Sequence, residues 1–517
     1  MKKILALVLA LAMMLPLVAV AEGYPVSEEP IKVTGYATAG PYTKGDFNDL
    51  KMWDYMEALT NVTIEWEAAP SGQGAEKLGL MFASNTLPDV IMKTGISTTD
   101  IATYAEEGQL VAIDPYLEEY APNFSKILED DPVIRKSITM ADGHIYGFPY
   151  LVLSGASQFA GKPFINHAAL AKLGIAEPKT IAELTEAMRL FKASDYNGNG
   201  VADEIPMTSD SLDNMFNCLF GTFGIANRGH KNMYFDIDPA TGELRSIVAS
   251  EGYKAMLKTV GEWYQEGLLD VEIFDSEIAK VTAKAEQNIL FFVPCTNAKY
   301  FGSYQNDWKG LDQPLVVNAG DTPAWNARAL SIAANNTFIT AECENPAEMV
   351  KYFDYWYSDD GIRLFFMGIE GETWEYDADG NVVPTDYVAK NPDGMNMEEA
   401  MGTYICWSGG ANPSVAEDKY FGQYIGEITV TAANNLAPYT PEEIWPAAMP
   451  YTTEEAELNA EYVLEIETYV KDVRAQFING SKNIDTDWDA YVEQLKKMDI
   501  DGWKELFQTA LDRYNAL

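Results

Sequence analysis

Histidine is nearly missing from this chain: His144, His167 and His230 are the only three among 517 residues. They are dispersed, with no HExxH pair and no nucleophile set beside a base, which removes the common zinc-hydrolase and triad chemistries. GxSxG and phosphate-cradling glycine motifs are missing as well. Cysteine is scarce. Cys218, Cys295, Cys343 and Cys406 are scattered without a CxxC pair, so they make no metal framework. They read as small buried residues, with one or two bridges in an oxidising compartment as the alternative. Basic residues are few, 36 Lys and Arg against 78 Asp and Glu, for a formal charge of −42. That balance disfavours nucleic acid and anionic lipid as partners. Past the first 21 residues no apolar stretch of about 20 residues occurs, so the mature chain is not expected to be an integral membrane protein.

What is present begins with a leader. Lys2 and Lys3 precede the apolar run Ile4 to Leu15, and Ala19-Val20-Ala21 offers small residues for cleavage before Glu22. A secretory signal peptide over 1–21 is expected. The chain behind it exceeds the roughly 250–300 residues at which a single core stops growing, so two domains are expected.

Periodicity then alternates between strand and helix. Ile31 to Tyr36 reads as a strand, followed by a helix with Met52, Tyr55, Met56 and Leu59 on one face. Val62 to Trp66 is a strand, Leu78, Met81 and Phe82 mark a second helix, and Asp89 to Met92 a third strand. This is a parallel α/β unit, in which ligands sit beyond the carboxyl ends of the strands. The loops around Tyr42, Ser71 and Lys93 to Gly95 are therefore candidate site segments. Residues 162 to about 275 read as mostly helical, with a strand later at Ile289 to Val293. Ala329 to Ala333 is a small-residue strand. Asn345, Pro346 and Glu348 form a helix-capping pattern ahead of the buried stripe Met349, Val350, Phe353, Trp356 and Tyr357. Ser358 caps the next helix and Gly368 ends it. From about Tyr387 the chain reads as mainly helical. No linker separates the domains, which suits two lobes joined by several crossings.

Between Asp195 and Glu204, oxygen-bearing residues recur in the order Asp195, Asn197, Asn199, Asp203, Glu204. Gly198 and Gly200 let the backbone wrap, and the carbonyl of Val201 supplies a further oxygen. Hard cations want six or more such oxygens, so the segment reads as a calcium loop. It departs from the EF-hand pattern, whose bidentate Glu belongs at a twelfth position that here is Pro206. The alternative is a surface turn rich in Asn and Gly.

Several segments in chain order resemble the extracellular solute-binding proteins of carbohydrate ABC transporters, particularly the large calcium-bearing oligosaccharide-binding type. They are Trp53-Asp54-Tyr55 through Val62 with Ala83 to Val90, Asp142 to Pro149, the calcium loop into Pro206, Asn345 to Gly361 with Gly368 to Trp374, and the region of Trp488 with Ala510 to Tyr514. The resemblance implies an α/β, two-lobed periplasmic-binding-protein fold with an interlobe cleft and extra C-terminal helices. It implies a first lobe from 24–150 and 326–375 and a second from 151–325 and 376–517. It further implies a monomer that captures an oligosaccharide, closes about a hinge and delivers it to permease subunits, at the cell surface or in the periplasm. Structural Ca2+ would be held by Asp195, Asn197, Asn199, Val201, Asp203 and Glu204. Gram-positive members of this family usually carry a lipobox cysteine; here Leu17-Val18-Ala19 is followed by Val20, so no thiol is available for lipid anchoring.

Sugar recognition needs flat apolar rings and directed polar groups. The candidates are Trp325 and Trp407 first, then Trp374, Tyr150, Asn297, Tyr42 and Lys93, with Asp210 and Glu372 as hydroxyl acceptors. Each aromatic has core packing as its alternative, and Trp53, Trp356, Trp488 and Trp503 read as core. A secreted polysaccharide-degrading enzyme is the reading from another class, resting on the carboxylates Glu370, Glu372 and Glu375. A solvated loop in an acidic chain explains those equally. An extracellular sugar-sensing receptor domain would share the fold.

Overall fold

A computed structural model describes residues 24–517 except 72, 330, 335, 407–411 and 447–448. The expected signal peptide lies outside the described residues. The first sheet is the parallel unit read from the periodicity. Strand Ile31–Thr38 runs between Val62–Ala69 and Val90–Met92, parallel to both, with Ile31 opposite Val62 and Gly35 opposite Val90. The edge beyond Val90–Met92 is closed by the antiparallel strand Thr337–Ile339, contributed from far along the chain. Gly35 is required in mid-strand because the Trp66 ring lies over it. A Cβ there would come within 2.5 Å of that ring.

Helix Lys51–Thr60 joins the first two strands and buries Met52, Met56 and Leu59, with Tyr55 packed partly buried beside them. Asn61 stops it in the left-handed region, its backbone N–H donating to the Glu57 carbonyl. Helix Gly74–Ser84 buries Leu78 and Phe82 in the same way.

The second sheet has the order Trp308–Gly310, Lys162–Asn166, Leu290–Cys295, Ile205–Met207. Its last pair is parallel and the others antiparallel. A third, small sheet joins the two halves of the molecule. Tyr150–Val152 lies between Ser331–Ala333, antiparallel, and Ser414–Ala416, parallel.

Two large cores accompany these sheets. One draws on Val26 to Val152 and Ile332 to Tyr420. The other draws on Ala156 to Ala327 and Ile425 to Leu511 and takes in the C-terminal helices. Of the 376–517 stretch expected in the second lobe, the part from Ile425 packs in the second core, while the part up to Tyr420 packs in the first. Val388, Met401, Ile405, Cys406, Val415, Ala416 and Tyr420 all sit in the first core. The reason is backbone pairing. Ser414–Ala416 extends the small sheet, and the carbonyls of Gly402 and Tyr404 accept from the N–H groups of Lys44 and Met52.

The Ser358 cap forms, its hydroxyl accepting from Gly361 N at 3.0 Å, and Gly368 follows the helix end. The Asn345 cap does not. Its backbone sits at φ −125° and ψ 57°, and the side chain makes no capping hydrogen bond. The stripe behind it is buried as read from the sequence, although Trp356 and Tyr357 lie on a separate short turn, Tyr355–Tyr357. All four cysteines are free and buried. Among the described residues no helix is long and apolar enough to cross a membrane.

Candidate functional site

The carboxyl ends of the parallel strands carry polar residues in both halves. In the first, strand Val90–Met92 runs into Lys93, whose φ of 61° is unusual for a side-chain-bearing residue. The bend drives Lys93 inward. It is 7% exposed, and its ammonium donates to Asn412 Oδ1 at 2.8 Å. Burial pushes the Lys93 pKa down to about 8, and burial pushes the adjacent Cys406 thiol up to about 11. Tyr42, half-buried, lies on the loop after Ile31–Thr38. Its carbonyl lies 2.1 Å from the position of a Cβ on Gly402, so only glycine fits there.

In the second half, strand Ile205–Met207 leads to Asp210 and strand Leu290–Cys295 to Thr296 and Asn297. Asp210 is buried and accepts from Asn214 Nδ2 at 2.8 Å, Thr296 N at 2.9 Å and Thr296 Oγ1 at 3.0 Å. Thr296 Oγ1 and the Tyr300 hydroxyl are 2.8 Å apart. Asn297 caps the following turn through Lys299 N, and its Oδ1 accepts from the Thr429 hydroxyl at 3.2 Å. Asp210 and Asn297 are thus brought together around Thr296. Lys93 joins Asn412, a residue the sequence reading did not single out because a lone Asn in a Gly- and Asn-rich stretch carries no signal.

Beneath Thr296 lies Lys162, 2% exposed. Its ammonium donates to the carbonyls of Phe159 at 2.8 Å and Thr296 at 2.9 Å. Burial pushes its pKa from 10.5 down to about 8. Below pH 8 the lysine is charged folded and unfolded, and its destabilisation is complete. Between about 8 and 10.5 the folded state releases the proton first, so stability rises with pH. In urea unfolding across that window, wild type should gain about 3 kcal/mol relative to Lys162→Met. A flat difference between the two proteins would remove the effect.

The remaining candidates are placed differently. Trp325 is 1% exposed in the second core, its indole Nε1 buried without a partner. Trp374 is 3% exposed in the first core, donating to the Gly368 carbonyl at 3.1 Å beneath the Arg363 guanidinium. Neither presents an open ring face. Tyr150 is buried in the small sheet, and burial raises its pKa. Glu372 is exposed and paired with Lys51. Trp407 lies outside the described residues.

The Asp195–Glu204 loop folds on itself. Asp195 Oδ2 accepts from Gly200 N at 3.1 Å, Asn197 Oδ1 from Asn199 N at 3.1 Å, and Asn199 Oδ1 from Val201 N at 2.7 Å. Asn199 Nδ2 donates to Asp203 Oδ2 at 2.9 Å, and Glu204 Oε1 accepts from Tyr196 N at 2.7 Å. Gly198 and Gly200 take the left-handed conformation, with φ of 75° and 76°. The Val201 side chain is exposed, leaving its carbonyl as that residue's donor. Two carboxylate oxygens, Asp203 Oδ1 and Glu204 Oε2, are buried with no partner. Buried polar atoms are rarely left so, and a hard cation would satisfy both. Among the described residues no three His, Cys, Asp or Glu side chains converge to hold a metal. The donor set therefore fits calcium only if the Asn amides and the Val201 carbonyl contribute oxygens.

The comparisons agree with this architecture. The family model for bacterial extracellular solute-binding proteins matches residues 38–362. A curated relative, the fructooligosaccharide ABC transporter substrate-binding protein FusA of Streptococcus pneumoniae, is 27% identical over 518 residues, covering 95% of this chain and 92% of its own. The structure of FusA in complex with kestose is similar at a TM-score of 0.74 and 25% identity, covering 94% of this chain and 99% of the other. A solute-binding protein described as binding HMO, from Bifidobacterium longum infantis, shares the fold at a TM-score of 0.80 and 20% identity, covering 94% of this chain and 99% of its own. Two lobes and a small sheet of crossings, matched by a family model over most of the chain, give one assignment: this protein belongs to the bacterial extracellular solute-binding protein family.

Proposed function

We propose that the chain is the extracytoplasmic substrate-binding component of an ABC importer, capturing an oligosaccharide between its lobes without chemical change and delivering it to permease subunits. The observation that carries this reading is its likeness, across nearly the whole chain, to a fructooligosaccharide-binding protein whose structure is known with kestose. The lobes are 24–152 with 331–420, and 155–330 with 425–517. The sugar lies between the strand-end loops, with Tyr42 and Lys93 on one side and Asp210 and Asn297 on the other. Capture shifts an open–closed population through contacts made by both lobes. The protein acts as a monomer. Calcium braces the Asp195–Glu204 loop; the two buried, unpartnered carboxylate oxygens support this, and a FusA structure is described as that of an EF-hand mutant.

Thermal unfolding with kestose, nystose and a panel of glucans and mannans tests the reading. A bound sugar at one hundred times its Kd should add about 2.7 kcal/mol to stability. If no saccharide raises the melting temperature, or if any is hydrolysed, the reading falls.

A further inference from the structure

The rim of the first half carries aromatic rings that stay open to solvent. Helix Lys51–Thr60 runs antiparallel to the two strands that it joins, so its first residue, Lys51, lies at their carboxyl edge, beyond the loop of Tyr42. The backbone of the 402–404 segment is pinned to the same edge. The Gly402 carbonyl accepts from Lys44 N at 2.8 Å, and the Tyr404 carbonyl from Met52 N at 3.0 Å. Shortly before it, Glu398 lies close enough for its charge to act on Lys299, which follows Asn297 in the second half. The segment therefore borders the gap between the strand-end loops of the two halves.

On this rim Tyr404 is half-buried, with Lys51 Nζ 4.6 Å from its ring centroid. Tyr387 stands next to it, the ring centroids 6.2 Å apart and the planes inclined by 59°. Val388, buried in the first core, anchors the short helix Asp386–Ala389. Its neighbour Tyr387 is left 39% exposed. Lys51 and Glu372 form an ion pair beside the rings, and their side chains stay 45% and 44% exposed. A pair so exposed adds little to stability, but its ammonium and carboxylate remain within reach of hydroxyl groups from outside. A flat ring with a donor and an acceptor beside it is what recognition of a sugar unit requires. Because Lys51 and Glu372 neutralise each other, the surface suits an uncharged sugar rather than a uronate. We propose that Tyr387, Tyr404 and the Lys51–Glu372 pair form an outer subsite at the edge of the cleft. It takes the units of a neutral oligosaccharide that extend beyond those held between the lobes. The subsite rests on the reading of the chain as an oligosaccharide-binding protein, and it makes the preferred ligand longer than a trisaccharide.

Titration calorimetry on the mature chain with the trisaccharide kestose, the tetrasaccharide nystose and the pentasaccharide fructosyl-nystose tests this. Affinity should rise at least tenfold from kestose to the pentasaccharide. Tyr387→Ala changes an exposed ring, so its melting temperature should match wild type. It should abolish the rise with length and leave kestose affinity within twofold. Tyr387→Phe keeps the ring face and should keep the rise. Equal wild-type affinity for all three sugars, or a length dependence that survives Tyr387→Ala, would overturn the outer subsite while kestose binding left the importer reading standing. An equal loss for kestose and the pentasaccharide in Tyr387→Ala would also overturn it, by placing the ring inside the cleft. If no sugar binds wild type, the importer reading falls and the outer subsite with it.

Discussion

Chelation is expected to lower the melting temperature of the native protein by about 3–8 °C. The figure follows from mass action: a cation at one hundred times its Kd adds about 2.7 kcal/mol to the folded state, and each kcal/mol moves a large domain by about 2–4 °C or less. The cause is local. Asp203 Oδ1 and Glu204 Oε2 are buried without protein partners, so removing a cation from the loop would leave one oxygen of each carboxylate unsatisfied. Relief on chelation would come from opening the loop, which should expose the turn at Gly198 and Gly200 to protease. Asp203→Ala should start at the lower melting temperature and respond to neither chelator nor calcium. Kestose affinity should change little, because the loop contributes none of the strand-end residues. Identical unfolding curves in calcium and in chelator would show that the segment is only a turn.

Asp210→Ala is expected to cost about 3–5 kcal/mol, the usual penalty for removing one member of a buried charged network. The carboxylate accepts three hydrogen bonds from Asn214 and Thr296, and its charge supports the buried Lys162 ammonium. Without it, Thr296 N loses its acceptor and Lys162 loses a favourable carboxylate charge. Asp210→Asn keeps one acceptor oxygen and should recover part of the loss. Urea unfolding distinguishes the variants. A loss below about 1 kcal/mol in Asp210→Ala would mean that neighbouring groups replace the carboxylate unaided.

The first sheet was legible because its signals are local. Apolar residues recur every second position in Ile31–Thr38, and Met52, Met56 and Leu59 share one helix face, so periodicity alone locates both. The small joining sheet was only half legible. Ser414–Ala416 is a three-residue strand whose existence depends on Tyr150–Val152, more than 250 positions earlier, and nothing within it announces a strand. The Asn345 cap shows the opposite failure. Its residue types match the pattern, but the backbone before Pro346 does not extend, so the side chain is never delivered to the helix end. At the site, Asn297 follows the strand read at Ile289 to Val293, whereas Asp210 is legible only as a hydroxyl acceptor, because the short strand Ile205–Met207 ahead of it lies in a stretch that reads as mostly helical. Trp325 could not be judged, since ring type says nothing about burial. The close approach of Gly221 to the Ala324–Trp325 backbone comes from tertiary packing alone.

The three crossings between the halves also set an order of assembly. The amino-terminal core contains residues from Val26 onward, but its sheet edge needs Thr337–Ile339 and its packing continues to Tyr420. A chain emerging from the ribosome or threading through a membrane pore therefore cannot finish the half it makes first. The first stretch of the other half, from Ala156 to Ala327, appears before those last pieces arrive. The second half receives its own closing helices later still. Neither half is complete until late in synthesis, so the unfinished chain remains open for most of its production, a state suited to being carried across a membrane unfolded.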